Sequence, residues 1–174
     1  RYDGLANREH QVKIDEQTRF NIASMGKMFT AVAILQLREA GKIDLHQTVS
    51  TYVPDFPQTY IRDSVTLHQL LTHSSGLPLW FSQEFDAQPK FTYATLKDYL
   101  PLYENLTIDR SKQGSYGYSN VGFITLGYIV EEVTGKSFDS HLKETIFEPL
   151  GMDETGLYAL TEIIPHVATG YVRP

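Results

Sequence analysis

The sequence predicts an α/β fold of the α+β kind, with a helical body joined to an incomplete sheet. Two windows, residues 24–40 and 120–134, have the apolar density of buried helices, and a glycine closes each. Two stretches near the start alternate polar and apolar residues as strands do: Gln11-Val12-Lys13-Ile14-Asp15 and Arg19-Phe20-Asn21-Ile22. A complete α/β domain needs more strands than the other residues offer. The sheet is therefore expected to be incomplete within these 174 residues.

Residues 1–22 read as extended. The helix over 24–40 carries Met25, Met28, Phe29, Val32, Ile34, Leu35 and Leu37 around its circumference. It is expected to be buried on all sides, with Gly41 as its stop. Residues 42–64 read as loop, with Pro54 and Pro57. Thr66 followed by Gln69 matches a capping box, which starts a short helix through Leu70 and Leu71. Residues 79–92 lack periodicity. Thr92 is the expected cap of a helix over 94–100, with Pro101 disturbing its end. Ser111 to Tyr118 is a turn-rich loop containing Gly114 and Gly117. The helix over 120–134 stops at Gly135. Ser137 caps another, whose Phe138, Leu142, Ile146 and Phe147 share a face, and Pro149 ends it. Residues 159–174 fit no single pattern.

Composition bounds the function. Hydrophobic residues make up 41% and charged residues 21%, which is ordinary for a soluble globular chain. A chain of this length buries roughly 70% of its unfolded surface, so one compact domain, or one with a small subdomain, is expected. The net charge is −6 and no basic run exists, so nucleic acid is not an expected partner. There is no cysteine, which excludes disulfides, thiolate nucleophiles and cysteine-held metals. Six histidines show no metal-ligand spacing. There is no G-x-G-x-x-G and no P-loop, so neither a metal nor a cofactor is expected. No apolar run reaches the ~20 residues of a membrane span. The chain opens on Arg1-Tyr2-Asp3 rather than Met, so the true N-terminus is not taken to be present.

Ser24-Met25-Gly26-Lys27 is an S-x-x-K at the start of an apolar helix. Three positions on a helix bring a serine and a lysine to one face. A serine hydroxyl is a weak nucleophile until a neighbouring base takes its proton. Burial and the positive end of a helix dipole both lower the proton affinity of a lysine, which lets lysine be such a base. Tyr118-Ser119-Asn120 follows the glycine-rich loop and precedes the second apolar helix. A phenol beside an ammonium ionises more readily, and an amide beside it can orient a substrate carbonyl. Each pattern also has a copy without the same context. Ser140-His141-Leu142-Lys143 lies on an amphipathic helix and reads as solvated surface. Tyr103-Glu104-Asn105 lies in a polar stretch and reads as a surface tyrosine with a helix-capping asparagine. His73 in Leu70-Leu71-Thr72-His73-Ser74-Ser75-Gly76-Leu77-Pro78 has no carboxylate placed as in a catalytic triad, so a structural role is expected. Trp80 and Phe81 read as packing residues able to line a pocket.

Five blocks stand in an order that resembles the serine β-lactamase-like family, its class C branch in particular. They are Phe20 to Ala31, Leu35 through Leu45 to Pro54, Val65 to Pro78, Tyr118 to Ser137, and Pro149-Leu150-Gly151-Met152 with Thr155. That branch holds class C β-lactamases, D-alanyl-D-alanine carboxypeptidases, D-aminopeptidases and related esterases. The resemblance implies a β-lactamase/transpeptidase-like fold, a helical subdomain plus an incomplete antiparallel sheet. Within it, residues 1–58 would form the sheet edge and nucleophile helix. Residues 59–158 would form a mainly helical subdomain, and 159–174 would return toward the sheet. Ser24 would be the acylated nucleophile, Lys27 and Tyr118 would share its proton, and Asn120 would bind substrate. The backbone N–H of Ser24 would serve the oxyanion.

The family's third motif is a Lys or His, a small residue, then Gly. Val133-Thr134-Gly135, Glu154-Thr155-Gly156 and Ala168-Thr169-Gly170 lack the basic residue. The chain therefore reads as part of a longer catalytic domain. The implied activity is hydrolysis of an amide or ester: a β-lactam, a D-Ala peptide or a small ester. The alternatives are a non-catalytic penicillin-binding-like scaffold and an inert fragment of an active parent. A small-molecule or peptide substrate is the expected partner, together with a possible second chain completing the sheet. The resemblance also implies a periplasmic or secreted location. An uncovered apolar face beside an open strand edge, or a second polypeptide covering it, is the expected consequence of the missing strands.

Overall fold

The computed structural model describes residues 1–82, 85 and 87–172. At its centre lies the long helix α5 (Asn120–Thr134), which starts and stops where the sequence predicts. The Ser119 hydroxyl accepts a hydrogen bond from the Gly122 N–H at 3.1 Å and so caps it. Gly135, at φ +67°, ends it in the left-handed conformation that glycine adopts without cost. Val121, Leu126, Ile129 and Val130 of this helix are fully buried. Three other helices pack on it: α1 (Lys27–Glu39), α3 (Leu67–Leu71) and α6 (Phe138–Leu142). Gly122 faces α3, where a Cβ would make ordinary contact with the Leu70 side chain at 3.5 Å.

The capping box at α3 forms in both directions. The Thr66 hydroxyl accepts from the Gln69 N–H at 3.2 Å, and the Gln69 side chain accepts from the Thr66 N–H at 3.1 Å. Gly41, at φ +70°, follows the end of α1. After α6 the backbone widens to a π-type turn at Lys143–Phe147 and tightens to a 3-10 turn at Glu148–Leu150. Pro149 thus falls inside the last turn, and Gly151 at φ +64° makes the stop.

Elsewhere the structure corrects the sequence reading. Residues 42–64 are not all loop. The Gln58 side chain accepts from the Tyr60 N–H at 2.7 Å and starts α2 (Thr59–Ser64), which buries Tyr60 and Ile61. The cap expected at Thr92 is made instead by Thr95, whose N–H and hydroxyl both donate to Asp98. A 3-10 turn (Leu96–Tyr99) follows and runs into α4 (Leu100–Glu104). Pro101 sits in the first turn of α4, where its missing N–H has no intrahelical partner to lose.

Helix α1 is buried on one side only. Ala33, Ile34 and Leu37 face the core, while Met28, Val32 and Leu35 are 55%, 41% and 45% exposed. The expectation of burial all round fails because the described residues supply packing partners on one face alone. Strand pairing is correspondingly sparse. Strands β1 (Leu5–Asn7) and β2 (Val12–Lys13) pair antiparallel. Arg19 bridges to Val167 in parallel, and the Thr169 N–H donates to the Ala6 carbonyl at 2.8 Å. Residues 166–169 therefore return to the N-terminal extended segment. Leu5, Val12, Phe20 and Ile22 of that segment are exposed.

The turn after α3 bonds to the segment that bears Tyr118, and Gly76 fixes it. Its φ is +76°, and a Cβ there would meet the Asp109 carbonyl oxygen at 3.0 Å and the Gln113 nitrogen at 3.2 Å. Gly76→Ala is expected to destabilise the protein by at least about 1–2 kcal/mol from the backbone conformation alone. Urea unfolding checks this, and an unchanged midpoint would show that the turn can relax.

Candidate active site

Ser24 lies in a 3-10 turn (Ala23–Gly26) that leads straight into α1. The preceding residue, Ala23, has φ +47°, a left-handed conformation that costs an alanine about 1–2 kcal/mol. The Asn21 side chain helps to hold it, accepting from the Ala23 N–H at 2.8 Å. Strain of this kind persists where the surroundings over-determine the backbone. Ser24 itself is exposed, between Ala23 and Lys27, which line a cleft.

Two side chains meet at this serine. The Lys27 Nζ donates to Ser24 Oγ at 3.2 Å, across one helical turn. The Tyr118 hydroxyl donates to the same oxygen at 2.8 Å, from 94 positions away. The Lys27 ammonium also lies 5.1 Å from the centre of the Tyr118 ring and 5.8 Å from that of Phe123. Once ionised, the Tyr118 oxygen would accept from Lys27 and from Ser24, and these two interactions, Lys27 first, hold the phenol below its ordinary pKa.

Tyr118 is placed by its neighbours. Ser119 is buried, and its hydroxyl donates to the Pro78 carbonyl at 2.7 Å while accepting from Gly122. The Asn120 N–H donates to the Leu79 carbonyl at 3.1 Å. Asn120 lines the same cleft as Lys27, a space of about 1060 Å³ walled largely by Trp80, Phe85, Tyr93, Phe123, Leu157 and Tyr158. The anchoring roles of Asn21 and Ser119 were not assigned from sequence. Ser119 had a signal, since it precedes an apolar helix at the N-cap position; Asn21 had none. Among the described residues no group of three His, Cys, Asp or Glu side chains is placed to hold a metal ion.

The repeated patterns do not join this cluster. Ser140 pairs with the Ser137 hydroxyl at 2.8 Å, and the exposed Lys143 lies 3.9 Å from Glu148. Tyr103 is not a surface tyrosine, as the sequence led us to expect. It is fully buried, and its hydroxyl lies 3.1 Å from the Val121 carbonyl and 2.9 Å from the Thr125 hydroxyl. Burial drives its phenol pKa up, the opposite of Tyr118. Asn105 is exposed at the C-terminal end of α4.

A fold of the β-lactamase and transpeptidase type is the class this arrangement defines. The family model described as Beta-lactamase matches residues 1–174, and the chain belongs to that family. It is 34% identical over 168 residues to PbpX of Bacillus subtilis (strain 168), which carries a penicillin-binding-protein name. That match covers 97% of this chain and 40% of the relative, so the chain spans well under half of that protein. A penicillin-binding protein from Bacillus halodurans superposes with a TM-score of 0.83 at 36% identity, over 97% of this chain and 53% of that one. The D-amino acid amidase of Ochrobactrum anthropi SV3, solved with L-phenylalanine amide, superposes with a TM-score of 0.71 at 28% identity, over 86% and 41%. No helix among the described residues is long and apolar enough to cross a membrane.

If Lys27 is what favours the Tyr118 phenolate, Lys27→Met should return that phenol toward the ordinary tyrosine range. An ultraviolet titration of tyrosinate, with Tyr118→Phe as the blank, checks this. A Tyr118 titration unmoved by the substitution would mean that the ammonium is not the cause.

Proposed function

We propose that this chain forms the nucleophile-bearing part of a serine acyl hydrolase that cleaves an amide or ester through an acyl-serine. The observation that carries the reading is the Ser24 Oγ held between Lys27 Nζ at 3.2 Å and Tyr118 OH at 2.8 Å. In this reading Ser24 Oγ bonds to the substrate carbonyl carbon while its proton passes to the Tyr118–Lys27 pair. The resulting oxyanion is stabilised by the Ser24 backbone N–H and the positive end of α1. The C–N or C–O bond to the leaving group then breaks, and the leaving group takes the proton from the pair. Water, deprotonated by the same pair, releases the acid and restores Ser24. Asn120, at the edge of the cleft, binds the substrate amide.

The aromatic walls of the cleft favour a substrate whose acyl portion is apolar. Similarity to an amidase solved with an aromatic amino acid amide supports an amide as well as an ester. The penicillin-binding relatives support a β-lactam or D-Ala peptide.

The test is to label the protein with a fluorescent penicillin and with an alkyl fluorophosphonate, then to map the adduct. Attachment to Ser24, lost in Ser24→Ala, is the expected result; a folded protein labelled by neither reagent would overturn the reading. Tyr118→Phe should cost on the order of 10²–10⁴ in rate. With Tyr118 as the base, turnover should rise with pH toward its phenol pKa, which lies below the ordinary value. That alkaline rise should be absent from Tyr118→Phe.

A further inference from the structure

His73 has no part in the bond-making steps above, yet it holds Tyr118 from both sides. Its backbone carbonyl accepts from the Gly117 N–H at 2.8 Å. Its Nδ1 accepts from the Ser119 N–H at 3.1 Å. Between these two bonds the imidazole lies against the Tyr118 ring, with centroids 4.5 Å apart and planes at 37°. The Phe123 ring backs it at 5.0 Å, and the Tyr116 ring stands edge-on at 6.1 Å. The backbone on each side of Tyr118 and one face of its ring are therefore all in contact with this one residue. His73 itself sits at φ +55°, a conformation histidine reaches only at some cost. The turn holding it is pinned further by the Gly114 N–H, which donates to the Ser74 carbonyl at 2.8 Å.

We propose that His73 is a positioning residue, a neutral imidazole clamp that sets the Tyr118 hydroxyl on Ser24 and fails when Nδ1 is protonated. This rests on the reading of Tyr118 as the proton-transfer residue. To accept from Ser119, Nδ1 must carry no hydrogen, so the neutral ring bears its proton on Nε2. In the imidazolium, Nδ1–H would face the Ser119 N–H, two donors with no acceptor between them. The titratable groups facing the ring are Lys27 from α1 and Tyr116 and Tyr118 from the loop before α5; the α5 contact, Phe123, does not titrate. Burial, and then the Lys27 charge, hold the His73 pKa below its ordinary value. The sign follows. The clamp is closed at neutral pH and opens as pH falls through that lowered pKa, which gives activity an acid limb below the usual histidine range. The stability it contributes is lost over the window from the ordinary histidine pKa of the unfolded chain down to the lowered one.

Two substitutions separate the clamp from bulk packing. His73→Asn tolerates the left-handed backbone and places a non-titrating Oδ1 where Nδ1 stands. His73→Phe keeps a ring against Tyr118 but removes the acceptor. The Phe variant should lose on the order of 10–10² in kcat with little change in KM, the scale of a misplaced catalytic group. Its Tyr118 phenol should titrate closer to an ordinary tyrosine, because the bonds to Lys27 and Ser24 loosen. The Asn variant should retain kcat at neutral pH and keep turning over at acid pH where the native protein has failed. Wild-type kcat and wild-type Tyr118 titration in the Phe variant would overturn the proposal, as would an unchanged acid limb in the Asn variant. The tyrosinate titration needs no turnover. A shifted Tyr118 in a protein whose Ser24 forms no adduct would uphold the clamp and sink the acyl-transfer reading alone.

Discussion

The contact on which the site depends is the 2.8 Å hydrogen bond from Tyr118 to Ser24. The other partner, Lys27, is local: it lies three positions along the chain, on the same face as Ser24. Tyr118 is different, because its approach is the product of packing. Helix α5 must lie across α1, and α3 must press against the first turn of α5 at Gly122. Only then does the turn after α3 meet the segment before α5, where Ser119 bonds to Pro78, Asn120 to Leu79 and Gly117 to His73. A buried core of aliphatic side chains thus acts at a distance of several residues to set a single phenol.

The two faces of α1 divide the labour of the chain. The face bearing Ala33, Ile34 and Leu37 is packed against the helical body, and it fixes the direction in which Ser24 and Lys27 project. The opposite face, with Met28, Val32 and Leu35, meets nothing that would cover it among the described residues. Covering a side chain of that size stabilises a fold by roughly 1.5–3 kcal/mol. The strand edges at Leu5–Asn7 and Val12–Lys13 lie in the same N-terminal part of the chain. The part of the site built from Ser24, Lys27 and Tyr118 therefore draws its geometry from the covered side and asks nothing of the uncovered one.

Much of this was legible in the sequence, for reasons that differ by residue. Helix α5 was readable to the residue because fifteen positions of strong apolar periodicity lie between a capping serine and a glycine stop. The Thr66 and Gln69 box was readable because it needs only local chemistry. Helix α2 was not, since six residues hold less than two turns of periodicity and Pro54 and Pro57 lie just upstream. Thr92 and Thr95 compete as caps three residues apart, and Thr95 wins because Asp98 completes its reciprocal bonds. Tyr103 was misread because Glu104 and Asn105 make its neighbourhood polar in sequence, whereas on a helix successive residues point different ways. The two S-x-x-K patterns could not be told apart by their own residues. What separates Ser24 from Ser140 is a partner far along the chain.

Around that partner one cation has two effects of opposite appearance. The Lys27 ammonium lowers the Tyr118 pKa by favouring the phenolate, and it lowers the His73 pKa by opposing the imidazolium. Both follow from one rule, that a positive charge disfavours whichever protonated state is the more positive. The consequence is a site whose two aromatic neighbours are pushed toward the same condition: a histidine without its second proton and a tyrosine readier to give one up. A neutral residue in place of Lys27 would remove the charge from both, leaving burial alone to hold the His73 pKa down. The lysine one turn from Ser24 therefore acts through its charge on both aromatic neighbours, on Tyr118 as the first cause and on His73 second to burial.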